Sequence, residues 1–123
     1  MPKWKKELKN KVEDCIFCKI ANKEEAAEIV YEDERVVAFK DIYPKAPVHI
    51  LIVTKKHIHS ANHIEPEDKE LVGELFLVAK KVAKEQGVAE TGYRLSFNVG
   101  RDAGQVVDHL HMHLLGGKKI PLA

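Results

Sequence analysis

Residues 109–115 read His-Leu-His-Met-His-Leu-Leu, and this stretch constrains the fold more than any other. Its period is two, which a β-strand resolves into two clean faces. His109, His111 and His113 fall on one face, and Leu110, Met112 and Leu114 on the other. The apolar face can anchor the strand in a core while the imidazoles converge on one site. Imidazole accepts, donates or coordinates near neutral pH better than any other side chain. A plain surface strand with incidental histidines, or a metal-binding tract, is the competing interpretation. Gly100 and Gly104 precede the ladder and Gly116-Gly117 follow it, which favours a built site.

The chain has 123 residues, one domain's worth. Hydrophobic residues make up 45% and charged residues 32%, the balance of an ordinary globular protein. A formal net charge of +1 gives no reason to expect nucleic acid as partner. Residues 1–13 carry Lys3, Lys5, Lys6, Lys9 and Lys11 and are expected to form a basic N-terminal arm. Residues 14–123 are expected to form a single domain. The arm lacks the apolar stretch of a signal peptide, and no run is long enough to span a membrane. Cys15 and Cys18, spaced CxxC, suit metal or redox use in a reducing cytoplasm better than a structural disulfide.

Coarse patterning gives an α+β order with a mainly antiparallel sheet. Residues 15–21 are expected to form a short helix capped by Asp14. Residues 28–31 and 36–40 are expected to pair as a hairpin around a polar turn at 32–35. Residues 41–47 hold two prolines and should be a loop. The apolar, β-branched run 49–54 should be a central strand. Pro66 suits the first turn of a long helix carrying Leu71, Val72, Leu75, Phe76, Ala79, Val82 and Ala83, with Gly87 as its stop. Residues 93–98 and 108–115 should supply two more strands.

The stretch from Asn98 through Gly104, Gln105 and Val106 to His109-Leu-His111-Met-His113-Leu-Leu-Gly-Gly resembles the signature of the histidine triad family. Agreement continues upstream in Cys15-Ile-Phe-Cys18-Lys-Ile, Val36-Val-Ala-Phe39-Lys-Asp41-Ile42 and Ala46-Pro-Val-His49, and through Lys55-Lys-His57-Ile. Residues 14–117 take part, and the likeness is greatest to the nucleotide-binding branch that hydrolyses purine nucleoside phosphoramidates. That resemblance implies one long helix on an antiparallel sheet, with the sheet extended across a homodimer.

It also implies roles. His111 would attack the α-phosphorus and form a nucleotidyl-imidazole that water then cleaves, releasing AMP or GMP. The chemistry is sound in itself, because a neutral imidazole is a good nucleophile and its ordinary pKa is about 6.5. His113 would hydrogen-bond the phosphate, and His49 would orient the site from the neighbouring strand. Asn98, Gly104, Gln105 and Val106 would meet the phosphate, and Asp41 the ribose hydroxyls. Phe39 and Ile42 would sandwich the purine. Asp41 is equally readable as a turn former. Val106 departs from the Ser or Thr common in relatives, which removes a hydrogen bond worth about 0.5–1.5 kcal/mol.

Thiolates and imidazoles are preferred tetrahedral zinc ligands, and CxxC-bearing members of the family suggest that His57 and His109 complete the pair. The expected cofactor is therefore one structural zinc, with none needed for catalysis. Two buried free thiols or a redox pair are the alternatives. Other functions stay open: a dinucleoside polyphosphate hydrolase, a non-catalytic purine nucleotide sensor, and a metallohydrolase using the ladder itself as a zinc site. His59 and His63 are expected at the surface without a role.

Overall fold

The structure is a computed structural model that describes residues 14–121. The lysine-rich arm expected over residues 1–13 lies outside the described residues. Among the described residues five strands form one antiparallel sheet: β1 (Ile29–Glu32), β2 (Val36–Lys40), β3 (Val48–Thr54), β4 (Tyr93–Ser96) and β5 (His111–Gly116). Their spatial order is β1-β2-β3-β5-β4. A short helix α1 (Ile16–Ala21) covers one face and a long helix α2 (Lys69–Glu85) the other.

Period-two patterning decides which residues meet each helix. Ile50 and Ile52 of β3, with Met112 and Leu114 of β5, point to the α2 side, where Leu71, Leu75, Val78, Ala79, Val82 and Ala83 close the main core. Met112, Leu114, Leu75 and Val82 are each 0% exposed. Leu51 and Val53 point the other way and meet Phe17, Ile20 and Ala21 of α1 with Val37 and Phe39 of β2. Register pairs Leu51 with His113 and Val53 with His111, so the histidines share the α1 face. At the end of β5, Gly116 lies where any Cβ would come within 2.9 Å of the Val88 side chain.

Several boundaries differ from the sequence expectation. The last strand begins at His111, so His109 and Leu110 precede it. The main-chain N–H of Leu110 bonds the Ile58 carbonyl at 2.6 Å instead, which pulls residues 109–110 out of the ladder and toward His57. The N-cap of α1 is Cys15, not Asp14; its Sγ accepts the Cys18 N–H at 3.5 Å. Pro66 opens a 3-10 turn (Pro66–Asp68) that leads into α2, with a reciprocal cap between Glu65 and Asp68. Helix α2 ends at Glu85, before Gly87 at φ 78°. On α2, Phe76 is 49% exposed and touches Phe97, while Val78 occupies the core. Among the described residues no helix is long and apolar enough to cross a membrane.

Candidate active site and metal-binding cluster

Four side chains converge beside α1. Cys15 Sγ lies 3.3 Å from His109 Nδ1, Cys18 Sγ lies 3.2 Å from His57 Nδ1 and 3.5 Å from His109 Nδ1, and the two Nδ1 atoms are 3.2 Å apart. Ligands around a zinc ion, with bonds of about 2.3 Å to sulfur and about 2.0–2.1 Å to nitrogen, stand about 3.3–3.8 Å from one another. The observed spacings match that tetrahedron to within about 0.4 Å. The ring of His109 is turned correctly as well: its Nε2 lies 2.7 Å from the Thr54 carbonyl. A carbonyl can only accept, so Nε2 carries the proton and the Nδ1 lone pair faces the cluster. A donated hydrogen bond from the Cys18 thiol, chiefly, holds Cys15 far below the ordinary thiol range, against the effect of burial. The same bond, then burial, pushes Cys18 upward. One thiol of the pair thus ionises readily, and a divalent cation would supply the charge that lets the second follow. The donor set fits a structural ion that uses all four ligands.

The remaining triad residues form a separate arrangement. His111 Nδ1 lies 2.6 Å from the His109 carbonyl. By the same argument Nδ1 carries the hydrogen, which leaves the Nε2 lone pair free. Burial holds His111 below its ordinary pKa, so it is neutral at pH 7. The Lys45 N–H donates to His49 Nδ1 at 3.0 Å, so the His49 proton sits on Nε2. From there it reaches His113 Nδ1 at 3.0 Å, with Asp41 Oδ2 at 3.4 Å. His113 must then carry its own proton on Nε2, the nitrogen left to face a ligand. Burial first, then the neighbouring His111 and His49, lowers His113 to about 4; burial also lowers His49. Main-chain groups therefore fix two imidazoles, and a third follows from them.

Asp41, His49 and His113 also lie close enough together to hold a cation. The chain of donors just traced uses the His49 lone pair on Lys45 and directs the His49 Nε2–H at His113. That geometry suits proton positioning rather than coordination. His109 is turned to the cysteines, so the three triad imidazoles do not converge as one ligand set.

The other expected site residues fall as follows. Asp41 is the turn former its sequence allowed, its Oδ1 accepting the Tyr43 N–H at 2.9 Å, and its Oδ2 faces His49. Phe39 is buried at 3% exposure against Phe17, and Ile42 stands 78% exposed at the rim. Gly100 (φ 82°) and Gly104 (φ 80°) bracket a 3-10 turn (Arg101–Ala103), conformations that only glycine adopts without strain. Asn98 Nδ2 donates to the Ala103 carbonyl at 2.7 Å. Gln105 braces the same loop, accepting the Gly100 N–H and donating to the carbonyls of His59 and Val107. Val106 is 89% exposed. His59 and His63 stack at 4.6 Å near the surface. Sequence reasoning missed Phe17, whose ring lies edge-on to His111 at 5.0 Å. Its place between Cys15 and Cys18 was the available signal. The roles of Lys45 and Thr54 are played by main-chain atoms, which leave no signal in residue type.

This arrangement, a buried neutral imidazole held beside two hydrogen-bonded imidazoles on one sheet face, defines a histidine triad centre. Residues 14–121 match the family profile described as "Scavenger mRNA decapping enzyme C-term binding". The purine nucleoside phosphoramidase of Escherichia coli (strain K12) is 46% identical over 108 residues, 88% of this chain and 91% of that protein. A histidine triad protein from Clostridium difficile is 51% identical with a TM-score of 0.87, covering 89% of this chain and 96% of that one. A HIT family hydrolase from Legionella pneumophila Philadelphia 1 is 48% identical with a TM-score of 0.86, covering 88% and 96%. The chain belongs to the histidine triad family, and it sits among that family's hydrolases.

Proposed function

We propose that the protein hydrolyses purine nucleoside 5′-phosphoramidates at the α-phosphate, through a covalent nucleotidyl-His111 intermediate. The observation that carries this reading is the His111 hydrogen bond to the His109 carbonyl, which leaves a neutral Nε2 lone pair for attack. Attack forms the Nε2–phosphorus bond as the phosphorus–nitrogen bond breaks, and the amine departs as a neutral molecule with a proton drawn from solvent, which the later hydrolysis step returns. His113 offers its Nε2–H to the reacting phosphate, with His49 and Asp41 holding it in place. Water then cleaves the nucleotidyl-imidazole, releasing AMP or GMP and restoring neutral His111. Asn98, Gly104, Gln105 and Val106 would contact the phosphate, Asp41 the ribose, and Phe39 and Ile42 the base. The 46%-identical phosphoramidase supports the substrate class.

The ion held by Cys15, Cys18, His57 and His109 would be zinc, serving structure rather than the reaction. A pair of free thiols agrees with a cytoplasmic home. The protein would act as a homodimer. The outer edge of β4 has no strand beside it among the described residues, and the apolar pair Phe76 and Phe97 lies partly exposed. Continuing the sheet across that edge would cover both. A side-by-side assay of adenosine phosphoramidate and diadenosine polyphosphate decides the substrate class. Preference for the phosphoramidate is expected. His111→Asn should bind AMP and turn nothing over; substantial turnover by that variant would remove the nucleophile assignment.

A further inference from the structure

One residue joins the two centres. His109 turns its Nδ1 to the Cys15 sulfur and its main-chain carbonyl to His111 Nδ1. Its ring is 0% exposed and is pinned on the far side through Nε2 to Thr54. A carbonyl attached to a ring held at both nitrogens has little room to move. A second link runs through α1. Cys15 and Cys18 bracket Phe17 within a single turn, and its ring lies 5.0 Å from His111, 6.0 Å from His109 and 5.4 Å from Phe39. Whatever fixes the two sulfurs also fixes the ring that packs against the nucleophile.

We propose that the cysteine–histidine cluster, when it holds a divalent ion, positions the nucleophile as well as stapling the N-terminal segment to the sheet. Cys15, Cys18 and His57 touch no substrate. They act on His111 through the His109 carbonyl and the Phe17 ring, and so are positioning residues. A pure staple would change how much protein is folded, but not what each folded molecule does. A positioning device changes the folded molecule itself. Misplacing a reacting group by about 1 Å can cost about 10²-fold in rate. Loosening this support should therefore lower kcat by about 10- to 100-fold while AMP affinity stays within about twofold, the pattern of a contact that matters chiefly in the transition state. The inference rests on His111 as nucleophile, but one arm of its test does not.

The test compares metal-loaded wild-type protein, His57→Ala and His57→Cys, each labelled with nitrogen-15. Imidazole proton resonances, metal content, kcat and AMP affinity are read together. In the loaded wild type the His111 Nδ1–H should give a sharp, slowly exchanging signal. In folded His57→Ala that signal should broaden or vanish and kcat should fall, while His57→Cys, which restores a tetrahedral donor, should recover both. Exchange of zinc for the larger cadmium in wild-type protein keeps a thiophilic ion bound. It should move the His111 resonance more than that of His49, which hangs on Lys45 instead. An unchanged His111 signal and kcat in folded, metal-free His57→Ala would overturn the proposal. Equal movement of His49 and His111 on cadmium exchange would overturn it too, and that arm decides if His57→Ala does not fold. Should wild-type protein hydrolyse no phosphoramidate, the functional reading fails while the His111 resonance still judges this coupling.

Discussion

Replacing His113 by glutamine should flatten the acid side of the protein's stability profile. In the folded chain burial, with His111 and His49 beside it, lowers His113 from 6.5 to about 4. A depressed imidazole pKa contributes stability that is fully present above the ordinary value and is lost as pH falls toward the folded one, because the unfolded chain takes up the proton first. With pKa values of 6.5 and about 4, that loss is on the order of 1 kcal/mol by pH 5.5 and about 3 kcal/mol near pH 4. For a domain this size, the loss by pH 5.5 moves the melting temperature by about 5 °C. The substituted carboxamide can still accept the His49 Nε2–H, so the local geometry survives. The assay is thermal unfolding by circular dichroism at pH 7.5 and 5.5 for both proteins. Both retain His49, His111 and the cysteine cluster, so their contributions cancel in the difference. The wild type should lose about 5 °C more than the variant over that interval. An identical loss in the two would refute the claim that His113 is held neutral by its surroundings.

Val106→Ser should raise phosphoramidate turnover by about 2- to 12-fold, the equivalent of one recovered hydrogen bond, with little change in melting temperature because the side chain is 89% exposed; steady-state kinetics on both proteins checks it. Met112→Ala removes a fully buried side chain between β5 and α2, and should destabilise by about 2–5 kcal/mol in urea unfolding. Metal analysis should find zinc near one ion per chain, and Cys15→Ser should lose both that ion and thermal stability. A stoichiometry near zero in protein purified without a tag would contradict the zinc assignment.

The alternation of residues 109–115 made the two faces of β5 legible, and the run 49–54 announced the strand beside it. These were readable because burial acts on side chains with a fixed period. The start of β5 was not readable. His109 extends the alternating pattern, yet the Leu110 N–H bonds Ile58 rather than the neighbouring strand, a choice made by tertiary contact. The Cys15–Cys18 spacing and the family likeness together pointed to His57 and His109, and the four side chains do meet. Phe76 kept helical spacing but faces outward, since six other residues already fill the α2 side of the core. The orientation of the imidazoles could not be read at all, because the Lys45 N–H and the Thr54 and His109 carbonyls that set it are main-chain atoms common to nearly every residue.

The central claim is covalent catalysis by His111, and rapid acid or base quenching during turnover of adenosine 5′-phosphoramidate tests it most directly. Mass spectrometry of the quenched protein should find one adenylyl group per active chain, on the peptide carrying residues 109–115, and fragmentation should place it on His111. The adduct should be stable in base and labile in acid, as a phosphorus–nitrogen bond to imidazole is, and absent from His111→Asn. Full turnover with no adduct at any quench time, or an adduct that persists on another residue in His111→Asn, would contradict the account.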